Sequence, residues 1–204
     1  MSKKLILLAV LALALPISAV AGSSIDFTNS GGMLTGSSSG LSLGGSTLIA
    51  VNGLNGGGLI TGTNLGSLSF TTGALASGSL QMGGTFAAGG SFNITGNGSN
   101  GVPNGVIFSG TFSSPVTWTL VTLANGTHNY TLTGVLSGTT ASGFQTNGVT
   151  VQLTINTGKG FFTGSTPISS GDTNIVVPEP GSLTLLGTGL VGLAGVVRRK
   201  MKKA

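Results

Sequence analysis

Apolar and polar residues alternate along the middle of this chain in short runs separated by glycine. Val149, Val151, Leu153 and Ile155 fall two apart with Thr150, Gln152, Thr154 and Asn156 between them, so an extended backbone puts the first set on one face and the second on the other. Residues 67–70, 91–94 and 116–120 repeat the pattern. Asn-Gly begins at 52, 55, 97, 100, 104, 125 and 147, and this dipeptide tolerates the positive φ that tight hairpin turns require. The clearest hairpin joins residues 116–123 to 127–136 across Ala124, Asn125 and Gly126. Between residues 22 and 174 no window carries apolar residues at helical spacing, and the 38 glycines of the chain disfavour helix further. Strands are expected near residues 26, 48, 67, 79, 92, 107, 117, 130, 151 and 161. That spacing of about ten residues predicts an all-β fold, a single antiparallel β-sandwich-like domain over 22–174. The alternative is a β-solenoid, because Gly66-Ser67-Leu68, Gly78-Ser79-Leu80 and Gly90-Ser91-Phe92 recur every twelve residues, although the echo stops after three copies. Residues 31–58 show the weakest pattern and are expected to form long loops or edge strands.

The two ends break the alternation with continuous apolar runs. Lys3 and Lys4 precede an apolar run over 5–15, then Pro16 and the small-residue triplet Ala19-Val20-Ala21. This is the order of a secretory signal peptide over 1–21, cleaved after Ala21. At the other end a linker over 175–182 holds Pro178-Glu179-Pro180, a hydrophobic transmembrane segment covers 183–197, and a basic tail over 198–204 carries Arg198, Arg199, Lys200, Lys202 and Lys203. The prolines push their neighbours into extended backbone, which presents Glu179 on a strand-like peptide. Residues 181–197 would reach about 25 Å as a helix, just short of a hydrocarbon core of ~30 Å. The cationic cluster acts as a stop-transfer signal held on the cytoplasmic side.

This tripartite tail resembles the PEP-CTERM sorting signal of exported Gram-negative bacterial proteins. Pro178, Glu179 and Pro180 match the motif, residues 185–189 the Leu-Leu-Gly-x-Gly run, and Arg198 and Arg199 the basic end. The resemblance implies that the chain crosses the inner membrane through the secretion translocon and that a membrane-embedded exosortase then recognises Pro178 to Pro180. Removal of the tail would release the protein or re-anchor it at the cell surface, in association with exopolysaccharide and biofilm matrix. It covers about one residue in eight and speaks to sorting alone.

Removing both ends changes the charge argument. The formal charge is +5, yet seven of the eight basic residues lie in the targeting segments, and between residues 22 and 177 the charges are Asp26, Lys159 and Asp172. A phosphate backbone needs clustered Lys and Arg, so nucleic-acid binding is rejected. Cysteine is absent, so export here does not rest on disulfides. Chemistry is as sparse: His128, Asp26, Asp172, Lys159 and Tyr130 are the titratable groups on offer, and His128, in phase with Tyr130 and Leu132, reads as a core-edge histidine. No metal site and no cofactor are expected, since zinc and calcium need several clustered ligands. Gly187, Gly189 and Gly192 form a G-x-G-x-x-G only inside the tail, with no strand before it, and carry no dinucleotide reading.

Three functions compete. The first is a structural surface or matrix protein whose uncharged Ser, Thr and Asn face contacts polysaccharide or other copies of itself. The second is a carbohydrate-binding or adhesin module, which would need Trp118 and Tyr130 exposed on one sheet face to stack on sugar rings. An enzyme, the third, would need Asp26, His128 and Asp172 in one cleft, and no catalytic residue is assigned.

Overall fold

The computed structural model describes residues 23–143 and 145–177, and residues 24–177 form one compact unit. Thirteen strands account for most of it: β1 (Ser23–Ser30), β2 (Met33–Ser37), β3 (Gly40–Asn52), β4 (Ile60–Thr71), β5 (Leu75–Ser79), β6 (Gly83–Phe86), β7 (Gly89–Asn97), β8 (Asn104–Phe112), β9 (Val116–Thr122), β10 (His128–Thr140), β11 (Gln145–Asn156), β12 (Ser165–Pro167) and β13 (Ser170–Val177). A single 3-10 turn, Leu54–Gly56, lies between β3 and β4. The all-β antiparallel class expected from the alternation is the observed one. β11 follows it residue by residue, with Val149, Val151, Leu153 and Ile155 buried and Thr150, Gln152, Thr154 and Asn156 exposed.

The sheet closes on itself. Neighbouring strands run β1, β3, β4, β7, β8, β10, β11, β13 and back to β1, an eight-stranded barrel. Long strands make the closure possible. β10 pairs β11 along one edge and divides its other edge between β9, over residues 128–133, and β8, over residues 136–140. Alternation alone looks the same in two stacked sheets and in a barrel, because each buries one face of every strand. The solenoid alternative is excluded by the antiparallel ladders, and one of the glycines behind the twelve-residue echo has a local cause. Gly66 sits at φ +151, and a Cβ there would run into the Thr95 carbonyl.

Of the two expectations for residues 31–58, strand holds over most of the stretch, and residues 53–58 form a connection. The stretch contains β2 and the thirteen-residue β3, whose inward positions change parity: Leu41 and Leu43, then Ser46 and Leu48, then Val51. Register shifts between Leu43 and Ser46 and between Leu48 and Ala50 cause both changes, so bulges hide the period. The strand expected near 161 is absent. Phe161 and Phe162 lie in the β11–β12 connection, and Phe162 is buried. At the other boundary β13 runs to Val177 with Ile175 buried, so residues 175–177, read above as the start of the linker, belong to the sheet.

Phenylalanine rings fill the barrel. Phe70 and Phe92 face one another across β4 and β7 with centroids 6.0 Å apart, and Phe112 meets both edge-on. An eight-stranded barrel has an interior just wide enough for side chains to fill it. Beyond one rim the added strands β2, β12, β5, β6 and β9 continue the same core. Trp118 stacks on Tyr130 at 4.9 Å, and Phe162 packs edge-on against the indole at 5.5 Å.

Candidate functional site

Each chemically capable side chain is positioned by its strand phase. His128 opens β10 on the inward face and is 8% exposed; its Nδ1 lies 3.0 Å from Thr122 Oγ1 and its ring stacks on Phe161 at 4.3 Å. Trp118 Nε1 donates to the Leu80 carbonyl at 2.9 Å. Tyr130 Oη donates to the Gln81 carbonyl at 2.6 Å and accepts the Phe162 N–H at 3.0 Å. Both rings are buried, so their polar tips tie the β5–β6 hairpin and the β11–β12 connection to the barrel. No sugar ring can stack on either.

Asp26 and Asp172 are 146 residues apart in the sequence yet lie on adjacent strands, because β1 and β13 are neighbours in the ring. Both point outward, between inward Phe27 on one strand and inward Gly171 and Thr173 on the other. Partial burial raises the pKa of the Asp26 carboxyl above its ordinary value of 3.8, and the neighbouring Asp172 charge raises it further. His128 does not join them. Asp172 pairs with Gln152, which pairs with Thr133, so the row that holds Asp172 crosses β10 five residues from His128 and on the opposite face. Among the described residues no group of three or more His, Cys, Asp or Glu lies close enough to hold a metal ion.

The hydroxyl- and amide-bearing residues have a different geometry. Ser69, Asn93, Ser109, Thr139 and Gln145 stand in register across β4, β7, β8, β10 and β11 on the outer face. Ser109 Oγ donates to Asn93 Oδ1 at 2.8 Å, and Gln145 Nε2 to Thr139 Oγ1 at 2.8 Å. A groove of about 300 Å³ at the β2–β3 hairpin is lined by Thr35, Ser37, Leu41, Ser42, Thr71 and Thr72. These surfaces offer neutral donors and acceptors and no charge.

The remaining site is the point where the chain leaves the barrel. β13 is held by its ladder to β11, from Thr154 opposite Ser170 to Thr150 opposite Asn174, and by burial of Ile175. Pro178 follows Val177 directly. Residues 176–200 match the PEP-CTERM protein-sorting motif. The match contains Pro178, Glu179 and Pro180 together with Arg198, Arg199 and Lys200. It supports the sorting resemblance, and such a motif implies export and processing by an exosortase-type membrane enzyme on the way to the cell surface. No curated protein and no solved structure matches the chain. The sorting residues Pro178 to Pro180, the basic cluster Arg198 to Lys203 and the cleavage residues Ala19 and Ala21 lie outside the described residues.

The proximity of Asp26 and Asp172 has no signal in a single sequence. It depends on the first and last strands closing the ring, and strand order is not written in alternation.

Proposed function

We propose that this chain is an exported structural protein of the bacterial cell surface or extracellular matrix, delivered by an exosortase-type enzyme and associated there with neutral exopolysaccharide. The PEP-CTERM match over residues 176–200, which begins in the last two residues of β13, carries the sorting half of this reading. Burial of Trp118 and Tyr130 supports a structural role over a sugar-stacking module, because stacking needs an exposed ring face. The uncharged hydroxyl and amide rows on the outer face supply many weak hydrogen bonds that suit a neutral polymer. Catalysis is not part of the proposal: His128 faces the core and the two aspartates face outward.

Intact mass and cell fractionation, with and without the sorting enzyme, test the reading. The chain should lose its tail and reach the surface only when the enzyme is present. Glu179→Ala should leave the domain folded and the tail uncut. Normal processing and display of that variant would remove the main support for the assignment.

A further inference from the structure

Seven antiparallel pairings connect β1 to β13 the long way around the ring: β1 with β3, β3 with β4, β4 with β7, β7 with β8, β8 with β10, β10 with β11 and β11 with β13. An odd number of reversals leaves β1 and β13 antiparallel to each other. Ser30, the last residue of β1, donates to the Ser169 carbonyl just before β13 begins, at 3.1 Å. Ser23, the first strand residue, and Val177, the last, therefore leave the barrel at one rim. The connections 53–59 and 98–103 and residues 141–143 lie on that rim too, whereas β2, β5, β6, β9 and β12 cover the opposite one.

The terminal rim differs from the capped rim in chemistry. Its three connections contain no charged residue; Leu59, 68% exposed, ends one of them, and exposed Pro103 ends another. Val106, 54% exposed, stands on the outer face two residues into β8. Slack is also missing. The apolar segment begins at Leu183, so residues 178–182 are the whole connection, five residues that span at most about 17 Å when extended. The head-group layer alone takes up roughly 6 Å of that. On the other side β1 starts two residues after Ala21.

We propose that the terminal rim of the barrel docks on the lipid surface while the precursor is anchored, with Leu59 as its apolar contact. This rests on the reading of 183–197 as a membrane segment. A five-residue tether keeps the rim at an effective concentration on the order of millimolar against the bilayer, so weak apolar contact suffices. The three connections carry no charge, and the charge beside them is Asp26, opposite Asn52 on the outer face, so the rim has no cationic attraction to anionic lipid, which fits a zwitterionic head-group layer. Docking would present Pro178 at the depth where a membrane-embedded enzyme works.

The absence of cysteine allows a direct test. The chain from Gly22 to Ala204, reconstituted in phosphatidylcholine vesicles, is labelled at single sites with a fluorophore and quenched by a nitroxide on the lipid head group. Leu59→Cys and Ser142→Cys report the terminal rim; Ala124→Cys and Lys159→Cys report the capped rim, on the order of 20 Å away. Quenching should be at least about fivefold stronger at the terminal rim, and Leu59→Asp should weaken the Ser142→Cys signal severalfold. Circular dichroism confirms the fold of each variant. Equal quenching on both rims with the chain still floating with vesicles would overturn the docking proposal and leave the anchor reading intact. A chain that fails to float would overturn both.

Discussion

Tyr130 shows how much one atom holds together in this fold. Its hydroxyl joins the Gln81 carbonyl to the Phe162 N–H, and Tyr130→Phe removes the part-buried bond to the Gln81 carbonyl and leaves the buried Phe162 N–H without its partner, at roughly 1–3 kcal/mol for a buried group. A loss of about 3 kcal/mol is expected in urea unfolding; a change below about 0.5 kcal/mol would mean that water replaces the hydroxyl. Thr146 is the opposite case. Its Oγ1 is buried without a hydrogen-bond partner, so Thr146→Val, nearly isosteric and as suited to a strand, should stabilise by about 1 kcal/mol. Asp26 adds a pH signature. Its folded pKa is raised above 3.8 by burial first and by Asp172 second, so between 3.8 and the raised value the native state binds protons that the unfolded state has released. Stability then falls as pH rises through that window and stays at the lower level above it. Asp26→Asn should abolish the slope in acid denaturation curves and raise stability at pH 7. His128 and Trp118 were legible as core residues from phase alone, while the hydrogen bonds that fix Tyr130 depend on loops whose placement has no periodic trace.

At the scale of elements, β13 decides where the folded domain ends. Ile175 is buried in it, and full burial of such a side chain is worth about 1.5–3 kcal/mol. A chain of residues 22–174 therefore lacks a core side chain and the last rungs of the strand, and should be less stable than residues 22–177 by about 2–3 kcal/mol in parallel urea melts. Equal midpoints would show that the end of β13 contributes nothing. The sequence hid this strand because Ile175, Val176 and Val177 run together without alternation before Pro178. Elsewhere legibility followed regularity. β11 and the β9–β10 hairpin, with Gly126 N–H donating to the Leu123 carbonyl at 2.9 Å, lie where alternation and Asn-Gly put them. Asn147-Gly148 marks no turn: β10 passes from Leu136 to Ser137 while β11 passes from Val149 to Asn147, and Gly148, at φ +83, is the extra residue of a bulge. Of the thirteen residues of β3 the sequence predicts only a strand near residue 48, for the same reason, since each bulge moves the apolar set to the other parity.

For the whole molecule, closure of the barrel and scarcity of charge together determine how copies meet. Among the described residues the strands in the ring have both edges paired, which leaves open the outer edge of β12 and that of β5 beyond Leu75, whose N–H donates to the Ser38 carbonyl. β12 has three residues and contains Pro167, a poor template for another strand. β5 has five residues, Leu75–Ser79, with no charge and no proline, so it is the edge on which a second copy would add. Asp26, Lys159 and Asp172 are the charges between residues 23 and 177, and so few give little repulsion to hold copies apart and little Coulomb energy for salt to screen. Residues 22–177 should therefore associate as concentration rises, and raising salt from ~0.05 to ~0.5 M should leave both association and, within about 2 °C, the Tm unchanged. Ser77→Lys, exposed on β5, places a charge on the open edge and should shift the association to several-fold higher concentration while the Tm holds. Sedimentation velocity over a concentration series measures this. Association that proceeds equally in the lysine variant would locate the contact elsewhere on the barrel, and association that weakens steeply with salt would give the three charges a role that their number argues against.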